Sequence, residues 1–414
     1  MDSINIIKEN MYFVTNSDIK IIQGKKRDII HSLIDGKVYY FEGENRVVLR
    51  QLLEGMAWEN VDGSRLDKNE LMSFLENNEI GRFYESRKIY NPLIRKNVIK
   101  LANQIGRIRN FSLERISIRI NSICNLKCKF CEVDGIMSAP CLCTKDNVRG
   151  ENPFIFDAIN QAKKMNVKMI EIMGGEPLLN RKLLYSAVDK IFTYKMNSVI
   201  HTNGIELNED DAILFSKKNA IVVVHLFTCD KTKERQIVGI NNYVEKAIQS
   251  ISLLKKYNVL FFTEYIIGAY NCSDAMKQIQ EQFKVSVQYK YLYPTNLYSA
   301  VNMQKPNLKI GNLQVDFQNY EMYESYNYCF RKGVFVEKNG DIYPCIGLSK
   351  SKFYLGNIEE GIYKVFRGKD FKYYWEYNNF CDEMCNQCGE RLMCVNCKAY
   401  SFLNGDRIEC LDEV

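Results

Sequence analysis

The sequence predicts an α/β protein built on a parallel sheet, and three observations carry that prediction. From residue 112 to about 300, short β-type runs alternate with helix-length amphipathic segments, the pattern of repeated β/α units. Three distinct motifs each follow directly on a predicted strand, which places all three at one end of such a sheet. The fifteen cysteines gather mainly in two fields, one inside the β/α region and one in roughly the last 90 residues.

Taken in order, residues 1–95 read as a separate unit. Met11 to Ile22 reads as one hairpin arm. Ile29 to Ile34, Asp35-Gly36 and Lys37 to Phe41 read as strand, tight turn and strand, because Asp-Gly favours the turn that joins paired strands. Val47 to Gly55 and Lys68 to Glu76 have helical apolar spacing, and Ile80 to Tyr84 closes the unit as a strand. Next, Leu113 to Ile120 alternates apolar and polar residues as a strand does. Further strands are expected at Val167 to Met173, Ser198 to His201, Ala220 to Phe227, Val259 to Ile267 and Val285 to Tyr291. Helices are expected at Arg181 to Phe192, Glu209 to Ser216, Asn242 to Lys256 and Ser273 to Phe283. In a sheet of this kind the site lies at the C-terminal strand ends, where the motifs fall.

The first motif is Cys124-Asn-Leu-Lys-Cys128-Lys-Phe-Cys131. Three thiolates at C-x3-C-x2-C spacing suit three corners of a cubane iron–sulfur cluster and leave one iron without a protein ligand, open to a small molecule. Zinc knuckles instead need paired C-x2-C hooks to close a tetrahedron. The second motif is Gly174-Gly175-Glu176-Pro177, where glycines admit a ligand close to the backbone and Glu176 offers a carboxylate for an amine. The third, Thr202-Asn203-Gly204, is a common turn by itself.

Composition narrows the function. Net charge is +6 from 56 basic and 50 acidic residues, scattered along the chain, which makes no case for nucleic acid. No apolar run approaches the length of a membrane span. The N-terminus lacks the regions of a signal peptide, so a cytoplasmic protein is expected. In that compartment clustered cysteines bind metal more often than they form disulfides. The three histidines, His31, His201 and His225, show no ligand spacing, so histidine-type zinc catalysis is not expected.

The first two motifs together resemble the radical S-adenosylmethionine (SAM) superfamily, with Phe130 at its aromatic position. The resemblance implies a partial (β/α)6 barrel over residues 112–300 and one SAM-binding [4Fe-4S] cluster on Cys124, Cys128 and Cys131. It implies SAM held by Phe130, Gly174, Gly175, Glu176, Pro177, Thr202 and Asn203. In that family the open iron chelates SAM, one electron cleaves it, and a 5′-deoxyadenosyl radical removes a substrate hydrogen. Tyr291 to Pro294 either flanks the adenine or packs in the core. Glu264 either faces the cavity or forms a structural ion pair.

The second cysteine field is Cys329, Gly340, Cys345, then Cys385-Asn-Gln-Cys388, Cys394, Cys397 and Cys410. It resembles the SPASM extension, departing from it in having two residues rather than three between Cys394 and Cys397. The stretch Val336 to Cys345 reads as a hairpin turning at Asn339-Gly340. The resemblance implies an auxiliary domain, 320–414, with two further [4Fe-4S] clusters. Cys329, Cys345 and Cys397 would hold the first, whose fourth position is either Cys381 or open to a substrate thiolate. Cys385, Cys388, Cys394 and Cys410 would hold the second. A zinc ribbon is the other reading of this spacing. Cys141 and Cys143 have no counterpart and either touch substrate or are incidental; Cys229 and Cys272 read as small core residues.

Residues 1–95 resemble a winged-helix-like recognition element that binds a leader peptide as an added strand, with a generic cap as the other reading. Together the three parts imply a maturase of ribosomally made peptides, supplied with electrons by a flavodoxin or ferredoxin-type reductant. Thioether formation between a cysteine sulfur and a carbon is the expected reaction. Carbon–carbon crosslinking, epimerisation and sulfatase-maturase-like oxidation are the alternatives, though Ile346 stands where the last of these has its basic aspartate. A non-catalytic electron or peptide carrier would have no use for the Gly-Gly-Glu-Pro motif.

Overall fold

The computed structural model describes residues 11–63, 65–85, 113–128, 152–267, 287–291, 314–316, 319–327, 329–330, 333–349, 351–383 and 385–394, with 280, 399 and 402. The chain divides into two compact units. One comprises residues 1–110, 312–328 and 376–395; the other 111–311, 329–375 and 396–414.

In the first unit, β1 (Tyr12–Thr15) pairs antiparallel with β5 (Gly81–Tyr84). Strands β2 (Ile19–Ile22), β3 (Asp28–Ser32) and β4 (Val38–Phe41) form an antiparallel sheet in that order. The hairpin between β3 and β4 turns at Asp35-Gly36, as the sequence predicts, with Gly36 in the left-handed region at φ 71°. Helices α1 (Gly43–Leu53) and α2 (Arg65–Asn77) complete it. Every residue of β3 is buried, and its period of two explains how. Ile30 belongs to a core with Leu49, Leu52, Leu75 and Phe83, whereas Ile29 belongs to a second core with Val315, Leu392 and Met393. Asp28, at the start of β3, is fully buried. Burial alone would raise its pKa, but hydrogen bonds from Arg50 and the Gly24 amide, with the Arg50 and Arg46 charges, hold it below the usual range.

The second unit is a nine-stranded sheet. Its six parallel strands are β6 (Arg115–Arg119), β7 (Met169–Met173), β8 (Asn197–Thr202), β9 (Ile221–Leu226), β10 (Phe261–Ile267) and β11 (Val287–Tyr291). These are the six strands the sequence predicts. The predicted helix Ser273 to Phe283 lies mainly outside the described residues. Helices α3 (Ile155–Lys164), α4 (Arg181–Thr193), α5 (Glu209–Lys217), α6 (Glu234–Val238) and α7 (Tyr243–Lys256) join the strands. Helices α3 and α4 bury residues at i, i+3, i+4 and i+7: Ile155, Ala158, Ile159, Ala162, and Leu184, Ala187, Val188, Ile191. They pack on one face of the sheet, where Ile116, Ile118, Ile170, Ile172, Ile200, Val222 and Val224 share the same core.

A further strand, β12 (Gly333–Val336), adds parallel to β6, opposite β7. It turns back at Asn339-Gly340 into β13 (Asp341–Tyr343), as the sequence predicts. Strand β14 (Gly356–Asn357) ends the sheet. Among the described residues, no helix is long and apolar enough to cross a membrane.

Candidate active site

Three loops converge at the C-terminal ends of β6, β7 and β8. The cysteine loop follows β6 and the glycine loop follows β7. The Glu176 amide donates to the Ile123 carbonyl at 2.7 Å, and Asn121 Nδ2 donates to the Glu176 carbonyl at 3.1 Å. Gly175 lies at φ 56°, and a Cβ there would meet the Ile123 carbonyl and Asn121 Oδ1. The absence of a Cβ lets the chain's own cysteine loop dock here.

Glu176 is 0 % exposed and ties the second loop to the third. Its Oε1 accepts from the Leu178 amide at 3.0 Å and from Thr202 Oγ1 at 2.7 Å, and its Oε2 from the Asn203 amide at 2.8 Å. Burial raises its pKa to about 7, against the lowering effect of these three donors. Pro177 opens the short turn that Glu176 caps.

Asn203 carries the linkage back to the cysteines. Its Nδ2 donates to Asn125 Oδ1 at 2.8 Å and points at Cys124 Sγ, 3.7 Å away. The Leu126 amide also donates to Cys124 Sγ, at 3.4 Å. Cys128 is buried in a core with Leu126, Phe227, Ile237 and Tyr243. Donors aimed at a thiol sulfur suit an anionic, metal-bound thiolate, so the residues present fit an iron–sulfur cluster. Phe130 and Cys131 lie outside the described residues, as do Cys141 and Cys143. Asn121 and Asn125 were not singled out from sequence, although Asn125 sits inside the cysteine motif itself.

The other cysteines fall into two places. Arg115 Nη2 donates to the Cys329 carbonyl at 2.8 Å. The Arg115 pKa is raised, first by the Glu171 charge and then, past an opposing desolvation, by the charges of the Cys329 and Cys345 thiolates. Both cysteines therefore lie by the N-terminal end of β6. Cys385, Cys388 and Cys394 lie in the first unit, in a run of short turns. There the Cys388 amide donates to the Cys385 carbonyl at 2.9 Å, and the Cys394 amide to the Glu390 carbonyl at 3.0 Å. Cys381 is exposed in that unit. Cys397 and Cys410 lie outside the described residues.

One grouping departs from the sequence reading. His201 and His225, 24 residues apart and without ligand spacing, stand side by side on β8 and β9 with Nδ1 and Nε2 3.1 Å apart. Glu264, directly opposite His225 in register, places Oε2 3.3 Å from His225 Nδ1. Adjacent strands bring together what linear spacing separates.

The fold and these loops define an iron–sulfur protein with its site at the C-terminal edge of a parallel sheet. Residues 118–274 match the radical SAM superfamily, and residues 329–389 match the SPASM iron–sulfur cluster-binding domain, together more than half of the chain. The chain belongs to the SPASM-bearing radical SAM enzymes, with SAM and [4Fe-4S] clusters, auxiliary ones included, as cofactors. No curated protein matches it significantly. Its fold is similar to that of Streptococcus suis SuiB bound to S-adenosylmethionine, at 17% identity and TM-score 0.54, covering 94% of this chain and 96% of that one. It is also similar to anSMEcpe with bound AdoMet, at 17% identity and TM-score 0.50, covering 68% and 88%.

Proposed function

We propose that this enzyme modifies a ribosomally made precursor peptide, joining a cysteine sulfur to a carbon of an acceptor residue. One observation carries the reading: β6 has a cysteine site at each end. Cys124 and Cys128 follow its C-terminal end, and Cys329 and Cys345 lie by Arg115 at its N-terminal end. A five-residue strand separates them, about 16 Å at roughly 3.3 Å per residue. An extended peptide segment of similar length spans that gap, with its acceptor carbon at one end and its thiol at the other.

Cys124, Cys128 and Cys131 hold the SAM-binding cluster, and Phe130, Gly174, Gly175, Glu176, Pro177, Thr202 and Asn203 form the surroundings of SAM. Glu176 acts there through the loops it ties together, since its carboxylate is engaged internally. Cys329, Cys345 and Cys397 hold the first auxiliary cluster, whose fourth position is Cys381 or the substrate thiolate. Cys385, Cys388, Cys394 and Cys410 hold the second. Bound in place, SAM and its cluster supply the acceptor for one substrate hydrogen atom. The chain positions the carbon and the sulfur and keeps other donors away.

A peptide substrate is consistent with the structural neighbour anSMEcpe, also seen with AdoMet and Kp18Cys peptide, at 16% identity and TM-score 0.50. Residues 1–95 serve as the leader-binding element, taking the leader as an added strand at an edge of the β2-β3-β4 sheet. Electrons come from a flavodoxin or ferredoxin in the cytoplasm. The test is a search beside this gene for a small open reading frame that encodes a cysteine-containing peptide, co-expression of that peptide with the enzyme, and mass spectrometry. Loss of two hydrogens, abolished when the precursor cysteine becomes alanine, is expected. An unchanged mass with an inverted residue, or two hydrogens lost from the cysteine-free precursor, would overturn the thioether reading.

A further inference from the structure

Three side chains on neighbouring strands converge on one place in the second unit. His201 on β8 lies opposite Val223 on β9. His225 is the next residue on that face of β9, and Glu264 on β10 lies directly opposite His225. The alternate residues Ile200, Val222 and Val224 share a core with helices α3 and α4, so the group sits on the other face of the sheet. An imidazole nitrogen from each histidine and a carboxylate oxygen of Glu264 all lie within 4.8 Å of one another.

The chemistry of this set, its spacing and its support all suit a metal ion. Two imidazoles and one carboxylate are donors that zinc and iron(II) accept, with at least one further position left for water or another donor. At zinc bond lengths of about 2.0–2.1 Å, ligand atoms on a tetrahedron stand about 3.3–3.4 Å apart. Each partner is already near that distance from one nitrogen of His225: His201 Nδ1 is 3.1 Å from Nε2, and Glu264 Oε2 is 3.3 Å from Nδ1. When His225 binds through one nitrogen, the remaining ligand closes from within 4.8 Å, by about 1.5 Å at most. A side-chain rotation covers that distance without moving a strand. The backbone under the middle ligand is held in place. Tyr243, fully buried on α7, donates to the His225 carbonyl at 2.8 Å and accepts from the Phe227 amide at 3.1 Å. All three ligand residues are buried, at 8 %, 1 % and 6 % exposure for His201, His225 and Glu264. Burying such polar groups costs free energy, and coordination to a cation offsets it.

We infer that His201, His225 and Glu264 form a binding site for one divalent first-row metal ion, of the zinc and iron(II) class. Magnesium and calcium, which favour oxygen ligands, are not expected there. The site adjoins the active-site loops, because His201 directly precedes Thr202, whose hydroxyl donates to Glu176. Nothing in it depends on which bond the enzyme forms in its substrate.

Zinc is the probe, because a site for iron(II) also takes zinc, which binds such ligands more tightly. Tag-free, anaerobically reconstituted holoenzyme is loaded with one equivalent of zinc, desalted and measured by zinc X-ray absorption. One retained zinc is expected, with two imidazoles among nitrogen and oxygen neighbours at about 2.0–2.1 Å; a cysteine site would instead give sulfur at about 2.3 Å. The chain has three histidines, and His31 lies in the first unit, so a two-imidazole shell identifies His201 and His225. His225→Gln and Glu264→Gln are each expected to weaken zinc binding about ten-fold or more while keeping full iron content and cluster absorbance. Sulfur-ligated zinc, no retained zinc, or undiminished affinity in both variants overturns the site and leaves the two histidines as a hydrogen-bonded pair. Where a variant loses iron together with zinc, its fold has failed, and the ligand shell of the wild type decides alone.

Discussion

Glu176 is fully buried, and that burial sets its acid–base behaviour. With a folded-state pKa of about 7 against an ordinary 4.5, the folded protein keeps a proton that the unfolded chain has already released. The linkage sign follows: between those values the native state binds more protons, so stability falls as pH rises. The fall is expected to start near pH 4.5, to end near pH 7 and to total about 3 kcal/mol. Glu176→Gln removes the titration. It also places an amide opposite donors, so the variant should be less stable at low pH and should lack the slope. Urea unfolding at pH 5 and pH 8 checks this, and parallel pH dependences for the two proteins would refute it. The Gly-Gly-Glu-Pro motif was legible in the sequence, but the engagement of its carboxylate was not. That arises only when the loop after β8 folds over it and supplies Thr202 and Asn203 as donors.

The β/α units repeat one device at the end of their helices. After α3, α4, α5 and α7, a residue in the left-handed region stops the helix: Asn166, Lys195, Asn219 and Asn258. The next residue reaches back five positions, Val167 to Ala162, Met196 to Ile191, Ala220 to Phe215 and Val259 to Leu254, at 2.9 to 3.1 Å. Those residues are buried, completing the contact that accompanies this cap. Asparagine tolerates the left-handed region, whereas the lysine at 195 bears the usual penalty of a Cβ there, about 1–2 kcal/mol. Lys195→Gly relieves it, less about 0.5–1 kcal/mol for the extra freedom of glycine in the unfolded chain. A net gain of about 0.5–1 kcal/mol is expected, read as a higher urea midpoint with an unchanged slope. A lower midpoint would show the strain to be absent. Because the caps are local, the six strands and the helices α4, α5 and α7 were readable from periodicity to within a residue or two at most ends, whereas α3 and α6 were not read. Strand β12 was not read as a partner of β6, since nothing local in Gly333–Val336 points to a strand more than two hundred residues earlier.

Within the first unit, a strand near the N-terminus and a segment near the C-terminus share one core. The sequence shows that β3 is apolar at both Ile29 and Ile30 but carries no local sign of what covers each face. The structure places Leu392 and Met393 over Ile29. The seam is close: the Lys25 amide donates to the Gln387 carbonyl at 2.7 Å, and Arg391 donates to the Gln23 carbonyl at 2.8 Å. A Cβ on Gly24 would meet the backbone of Gly389, so only glycine admits this approach. The same short segment carries Cys385, Cys388 and Cys394, the proposed ligands of the second auxiliary cluster. Its geometry is therefore set by the sheet that is proposed to bind the leader. Removing residues 1–95 would uncover that segment as well as remove the leader site, so a single substitution in the full chain separates the two effects better. Gly24→Val forces the two backbones apart and is expected to cost about 1–3 kcal/mol, as overpacking does. After reconstitution its iron content should fall by about the four irons of one cubane cluster, while cysteine-loop SAM binding is retained. Full iron content and an unchanged cluster absorbance in Gly24→Val would show that the segment keeps its ligand geometry without the N-terminal sheet.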